Sequence, residues 1–85
     1  MDIYYSKIFL KKYRKLPKSV QTKFEDQEPI FRRNPFDPRL KTHPLSGKLK
    51  GYYSYSVDYH YRVIFSFESE TEVWFHLIGT HQVYK

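Results

Sequence analysis

The apolar residues of this chain change their spacing partway along the sequence, and this change limits the folds open to it. In the first third they recur every three or four residues, as at Phe9, Tyr13 and Leu16, which is the period of one helix face. Beyond Gly51 they alternate with polar residues, which is the period of a strand with one buried face. We therefore expect helices first and strands second.

Two helices are predicted in the first half. Ser6 offers a hydroxyl N-cap for the first helix, whose outer positions are mostly basic. Pro17 suits the first turn of the second helix. The apolar stripe of that helix consists of Val20, Phe24 and Phe31. Pro29 deletes a backbone donor within the stripe, so the second helix is expected to end near Glu28 or to kink there.

Four strands are predicted around these helices. The β-prone run Ile3–Tyr5 forms the first. The apolar faces of the other three consist of Tyr53, Tyr55 and Val57; Tyr61, Val63, Phe65 and Phe67; and Val73, Phe75 and Leu77. Sequential strands with short turns form an antiparallel meander, whose apolar face needs the helices as cover. The predicted fold class is therefore α+β, in the order β-α-α-β-β-β, with both helices on one face of an antiparallel sheet.

The length and composition indicate one domain over residues 1–85, rich in large rings, with nine tyrosines and seven phenylalanines. There is no cysteine, so neither disulfides nor a thiolate zinc site is available. The longest apolar runs, such as Val63–Phe65, are far shorter than the roughly 20 residues of a membrane span, and the first residues do not resemble a signal peptide. We expect a cytoplasmic protein with no membrane partner.

The positive charge is concentrated in the first part of the chain. Residues 1–51 hold thirteen basic and five acidic groups, a net charge of +8, whereas residues 52–85 carry a net charge of −2. A localised basic excess suits a phosphate backbone or an acidic protein partner, although it is also compatible with a solvated helix face.

Three stretches, in a fixed order, carry a family resemblance. They are KTHPLSGKLKGY at 41–52, YSYSVD at 53–58 with YRVIF at 61–65, and IGTHQVY at 78–84. In a chain of this length and charge they resemble the RelE/ParE superfamily of toxins from type II toxin-antitoxin systems. The resemblance implies an endoribonuclease that needs no cofactor and cleaves messenger RNA, free or in the ribosomal A site. It also implies an acidic antitoxin protein as the partner that neutralises the toxin.

The resemblance also implies a set of catalytic residues. In the YoeB-like branch a carboxylate precedes the Pro-Leu of the loop, an arginine opens the second meander strand, and a histidine lies near the C-terminus. His43, Arg62 and His81 match these positions. His43 departs from the glutamate of that branch, whereas YafQ-like toxins use histidines in this region. RelE-like branches rely on loop lysines, which Lys48 and Lys50 match, so the branch stays open.

The three matched residues suit cleavage of RNA without a metal. RNA supplies its own nucleophile, the 2′-hydroxyl, so the protein must provide a base, a cation and an acid. His43, Arg62 and His81 would provide these. The unperturbed pKa of histidine, about 6.5, is close to working pH, and arginine can hold a phosphate with two N–H groups. Arg62 is expected on the open face of the sheet because it alternates with Tyr61 and Val63.

Further residues are predicted to bind RNA. Lys48 and Lys50 would hold phosphates, both on one side if the loop is extended there. Tyr84 would stack on a splayed base. Tyr53 and Tyr55 are weaker candidates, because most of the tyrosines are interpreted as residues of the core or of the sheet surface.

No metal site is predicted, because the acidic residues are not clustered and the four histidines lack compact ligand spacing. There is also no glycine-rich phosphate loop among the three glycines. His60 and His76 have no useful partner spacing and are interpreted as structural.

Two alternatives remain open. One is a ParE-like toxin that shares the fold and inhibits DNA gyrase without catalysis, and the other is a degenerate member that only binds an antitoxin or RNA. The set of His43, Arg62 and His81 favours the nuclease, because a binding surface needs no pair of groups that titrate near neutrality.

Overall fold

A computed structural model of the chain describes residues 1–80. Its helices and strands are β1 (Asp2–Tyr5), α1 (Lys7–Arg14), α2 (Lys18–Arg33), β2 (His43–Pro44), β3 (Tyr53–Ser56), β4 (Arg62–Phe67) and β5 (Glu72–Gly79). Short 3-10 helices, Pro38–Leu40 and Gly47–Leu49, lie between α2 and β3. The predicted α+β class and the predicted order of elements are confirmed, with the two-residue strand β2 as an addition. None of the helices described in residues 1–80 is long and apolar enough to cross a membrane.

The strands described in residues 1–80 form a five-stranded sheet in the order β1-β5-β4-β3-β2. Neighbours from β2 to β5 pair antiparallel, as the meander predicts. β1 instead pairs in parallel with β5, with Ile3 opposite Val73. Parallel neighbours need a long crossover connection, and the chain between β1 and β5 contains both helices.

Ser6 begins α1 and fastens this helix to the sheet. Its Oγ accepts a hydrogen bond from the backbone N of Phe9 at 2.9 Å and donates one to the carbonyl of His76 at 2.8 Å. The Ser6 backbone N also donates to the carbonyl of Phe75 at 3.0 Å. The predicted N-cap is confirmed, and the same hydroxyl fixes where α1 lies along β5.

α2 continues through Pro29 to Arg33, so of the two alternatives the end near Glu28 is wrong. The last turn buries Phe31 completely, at 0% exposure. The Phe31 ring contacts the rings of Tyr55, Phe65 and Phe75, at centroid distances of 5.4, 5.1 and 5.1 Å. Burying a phenylalanine contributes about 1.5–3 kcal/mol, comparable to the cost of about 3 kcal/mol for a proline inside a helix. Core packing therefore offsets the proline.

The core lies between the helices and one face of the sheet. It consists of Phe9, Val20, Phe24, Phe31, Leu40, Tyr55, Val57, Val63, Phe65, Val73, Phe75 and Ile78. The predicted inward faces of β3 and β4 are confirmed, since Tyr53, Tyr61 and Phe67 also pack against this cluster.

The inward face of β5 differs from the prediction near its end. Ile64 pairs with Leu77 whereas Phe65 pairs with Phe75, so the ladder shifts register by one residue at a β-bulge. A one-residue insertion reverses which side chains face the core beyond it. Ile78, only 1% exposed, therefore takes the core position that the alternation assigned to Leu77, and the prediction for Leu77 is wrong.

Candidate active site

The sheet face opposite the helices, called here the open face, carries two of the predicted catalytic residues. Residues paired directly across strands point to the same side of a sheet. His43 pairs with Ser54, which pairs with Ile64. Arg62, two residues before Ile64, lies in the next row. Because Val63 points into the core, Arg62 and Ile64 point to the open face, and so do their partners.

His43 and Arg62 lie in adjacent rows of this face. They are separated by two strand spacings and one row, which corresponds to about 12 Å between their Cα atoms. Within residues 1–80 the hydrogen bonds of each side chain are to nearby backbone, Lys41 for His43 and the turn at 58–61 for Arg62. Ser54 and Ile64 lie between them and are 0% and 1% exposed. Both of these residues are therefore covered, so the exposed groups of this part of the face are His43 and, in part, Arg62.

Arg62 is held by the turn that precedes it. Its Nη1 donates to the carbonyl of Asp58 at 2.6 Å and to that of Tyr61 at 3.3 Å. The Asp58 carboxylate orders the same turn, since its Oδ1 accepts from the backbone N of His60 and of Tyr61, both at 2.8 Å. Within residues 1–80 only Nη1 of the guanidinium is hydrogen-bonded, which leaves the N–H groups of Nε and Nη2 for an anion.

His43 is exposed on the edge strand β2, and its orientation fixes a tautomer. Its Nδ1 lies 3.1 Å from the carbonyl of Lys41. A carbonyl oxygen can only accept, so Nδ1 carries the proton and Nε2 keeps its lone pair when the ring is neutral. The ring therefore presents Nε2 as the atom able to take a proton from a substrate.

The loop that carries Lys48 and Lys50 is not extended. The prediction that both lysines lie on one side required an extended loop. Gly47 has a φ of +64°, which suits glycine, and begins a 3-10 turn. This turn is closed by hydrogen bonds from Leu49 N to Ser46 O and from Lys50 N to Gly47 O, both 3.2 Å. Because the segment is a 3-10 turn, the alternation argument does not apply to Lys48 and Lys50. Both lysines are exposed.

Tyr55 does not serve as a stacking surface, because it is 1% exposed and belongs to the core. Tyr53 is half-buried and packs against the same cluster. The interpretation of these tyrosines as core residues is therefore confirmed for Tyr55, and Tyr53 lies on the same side of the sheet.

His81 and Tyr84 lie outside the described residues. The described chain reaches Thr80, one residue past Gly79, which is the partner of Arg62 on β5. A cleft of about 490 Å³ beside Gly79 and Thr80 is also lined by Lys12 of α1 and by Lys15, which follows that helix. It brings two further cations to the Arg62 end of the sheet.

A polar cluster on the open face was missed by the sequence analysis, which interpreted His76 as structural. Nε2 of His76 lies 2.7 Å from the hydroxyl of Ser66, which donates to Glu68 Oε2 at 3.0 Å. The ring of Tyr52 stands nearly perpendicular to that of His76, with centroids 5.1 Å apart. Burial lowers the pKa of His76 below its usual value, while nearby Glu68 acts in the opposite direction. In residues 1–80 no three histidine or acidic side chains come together as metal ligands.

The fold matches solved toxin structures along nearly its whole length. The crystal structure of YafQ from E. coli strain BL21(DE3) superimposes with a TM-score of 0.80 at 25% identity, over 98% of this chain and 96% of that one. The YoeB/ParE toxin from Agrobacterium tumefaciens gives 0.80 at 20% identity, over 95% and 99%. The YoeB-YefM complex from Staphylococcus aureus gives 0.77 at 19% identity, over 95% and 97%. Comparison by sequence matches no family model and no curated protein.

The α+β architecture and these matches define a chain with the fold of the small toxins of toxin-antitoxin systems. Within that class it is similar to the RelE, YoeB and YafQ toxins, and the resemblance recognised in the sequence is confirmed.

Proposed function

We propose that the protein is the toxin of a type II toxin-antitoxin pair and acts in the cytoplasm as a metal-independent endoribonuclease on messenger RNA. The observation that carries the proposal is that His43 and Arg62 occupy adjacent rows of the open face. Within residues 1–80, Nε2 of His43 and the Nε and Nη2 groups of Arg62 make no hydrogen bond. The likeness to YafQ, YoeB and RelE toxins supports the same function.

In the proposed reaction, Nε2 of His43 removes the proton from a ribose 2′-hydroxyl. The 2′-oxygen then forms a bond to the adjacent phosphorus, and the bond from phosphorus to the 5′-oxygen breaks. The products are a 2′,3′-cyclic phosphate and a chain with a 5′-hydroxyl. Arg62 stabilises the charge that develops on the phosphate oxygens, and His81, assigned from the sequence, gives a proton to the leaving 5′-oxygen.

The basic groups around this centre would hold the RNA strand. Lys48 and Lys50 are exposed beside β3, and Lys12 and Lys15 line the cleft beside Gly79. Such contacts to phosphate position a strand without reading its sequence. Tyr84 remains a proposed stacking residue.

The partner that neutralises the toxin is proposed to be an acidic antitoxin segment laid over the helices. The groove between α1 and α2, about 250 Å³, is mostly apolar and includes Phe9, Leu10 and Phe24. Ile8 and Leu10, 58% and 38% exposed, lie on the same helix α1. Two structures of similar fold are complexes with an antitoxin. One is the YoeB-YefM complex from Staphylococcus aureus, and the other is the toxin-antitoxin complex RelBE2 from Mycobacterium tuberculosis.

The test is incubation of the purified protein with messenger RNA in EDTA, with and without ribosomes. We expect cleavage that leaves cyclic phosphate ends, and a loss of roughly a hundredfold or more in single-turnover rate for His43→Ala and Arg62→Ala. Arg33→Ala, which removes one exposed charge at the end of α2, is the matched control and should retain the rate. Intact RNA in both conditions would overturn the proposal.

A further inference from the structure

The cluster of Tyr52, Ser66 and His76 lies beside the proposed catalytic row. Ser66 follows Ile64 by two residues on β4, so it occupies the open face one row further from Arg62. Rows on one face of a strand are about 7 Å apart. The row that contains His43 and Ile64 therefore separates Arg62 from this cluster.

The hydrogen bonds of the cluster determine where the His76 proton lies. Ser66 has one hydroxyl proton and gives it to the Glu68 carboxylate, which can only accept. The contact between Ser66 Oγ and His76 Nε2 then requires Nε2 to carry the ring proton. Nδ1 is left with a lone pair, and within residues 1–80 no group donates a hydrogen bond to it. Burial favours the neutral ring by lowering the pKa of His76.

The proposed reaction constrains the side of His43 on which the base of the reacting nucleotide can lie. The 2′-hydroxyl and its base belong to the same nucleotide, whereas the attacked phosphate is on the 3′ side of that nucleotide. With the hydroxyl at His43 and the phosphate turned towards Arg62, the base extends to the opposite side of His43. That side holds Tyr52 and His76.

We propose that Tyr52, His76 and Glu68 form a subsite for the base of the nucleotide that supplies the 2′-hydroxyl, and that it prefers an amino base, adenine or cytosine. The inference rests on the proposed ribonuclease function. The Tyr52 ring gives a surface on which a base can stack. Nδ1 of His76 is an acceptor, so it matches the N6 amino group of adenine or the N4 amino group of cytosine, and Glu68 maintains this tautomer through Ser66. Nδ1 opposes the O6 of guanine and the O4 of uracil, which are also acceptors.

The experiment uses short oligonucleotides in which every sugar but one is 2′-deoxy, so that cleavage occurs at one defined position. The base of the single ribonucleotide is adenine, unsubstituted purine or hypoxanthine. Adenine and purine differ only at position 6, whereas hypoxanthine has an oxygen there and also a proton on N1. Single-turnover cleavage and affinity by fluorescence anisotropy are measured for each. We expect adenine to exceed purine by about tenfold and hypoxanthine by more, the range for one or two specific hydrogen bonds.

Variants assign the preference to the cluster. His76→Phe keeps an aromatic ring beside Tyr52 but removes both nitrogens, and it should reduce the preference for adenine over hypoxanthine to within about twofold. Tyr4→Ala is the matched control, because Tyr4 is also a tyrosine of the open face but lies two strands away from Ser66. Its ring stacks on Trp74 with centroids 5.2 Å apart, and the variant should keep the full preference. Circular dichroism verifies that each variant is folded.

The outcomes separate the subsite from the function. Cleavage with equal rates and affinities for all three bases would overturn the subsite and leave the nuclease in place. A preference in affinity without cleavage would support the subsite and overturn the nuclease. An adenine preference that His76→Phe leaves intact would also overturn the assignment to this cluster.

Discussion

Asp58 is predicted to position Arg62, although it touches no substrate in the proposed reaction. Its Oδ1 accepts two backbone hydrogen bonds at 2.8 Å, from His60 and Tyr61, and its carbonyl accepts from Arg62 Nη1 at 2.6 Å. Asp58→Ala deletes the carboxylate and leaves both N–H donors to water. The turn then loses the interactions that hold the carbonyl against Arg62.

The size of the effect follows from these bonds. A hydrogen bond to a charged group contributes about 1.5–3 kcal/mol when protected from water, and the Asp58 side chain retains 19% exposure. We therefore expect the two bonds together to contribute about 2 kcal/mol, which corresponds to a fall in Tm of roughly 10 °C for a domain of this size. The pair of Asp58 with Lys23 at 4.0 Å, whose lysine is 59% exposed, adds at most about 1 kcal/mol.

The assay compares Asp58→Ala with Asp58→Asn and Lys23→Ala by thermal unfolding and by single-turnover cleavage well below Tm. Asn keeps the Oδ1 acceptor and should remain close to wild type, as should Lys23→Ala. The alanine variant should cleave at least about tenfold more slowly even where it is fully folded, since small displacements of a catalytic group lower rates strongly. A folded Asp58→Ala protein with the wild-type rate would refute the positioning role.

Three further predictions concern the bulge, the buried histidine and the loop. Ile78→Ala should lower the free energy of unfolding by about 2–5 kcal/mol, clearly more than Leu77→Ala; equal losses in urea denaturation would contradict the bulge. Because burial lowers the pKa of His76 in the folded state, the unfolded chain binds a proton more readily, so stability should fall as pH drops below about 6.5. His76→Gln should reduce this fall between pH 7 and 5, and an identical pH dependence would count against it. Replacing Lys48 and Lys50 together by Ala should weaken RNA binding and reduce the slope of log affinity against log salt concentration by about 1.4. Unchanged affinity with slowed cleavage would instead indicate that one of these lysines is the general base of the reaction.

The parts of the fold that depend on local periodicity followed from the sequence. Amphipathic spacing and the Ser6 cap predict α1, and alternation predicts the inward faces of β3 and β4. The end of α2 did not follow, because it depends on the burial of Phe31 against rings that are distant in sequence. Neither did the 3-10 turn at Gly47, which depends on a backbone conformation that spacing does not reveal.

The candidate site, like the fold, was predictable from the sequence only in part. Alternation places Arg62 on the open face, but its closeness to His43 depends on the pairing of β2 with β3, which a two-residue strand does not signal. Asp58 carried a local signal, since an aspartate at the start of a turn commonly accepts hydrogen bonds from backbone N–H groups that follow it. His76 shares the outward parity of Trp74 in the alternation of β5, and that parity could have marked it as an open-face residue.

The bulge in β5 connects the stability of the core to the geometry around Arg62. If β5 continued in the register that pairs Phe65 with Phe75, Arg62 would lie opposite Ile78. The extra residue moves Gly79 into that position instead and turns Ile78 into the core. A branched apolar side chain beside the guanidinium would occupy space on the open face where the proposed phosphate must approach, whereas glycine leaves that space clear. The same one-residue insertion that made the alternation of β5 misleading therefore fills the core and keeps the proposed anion site accessible.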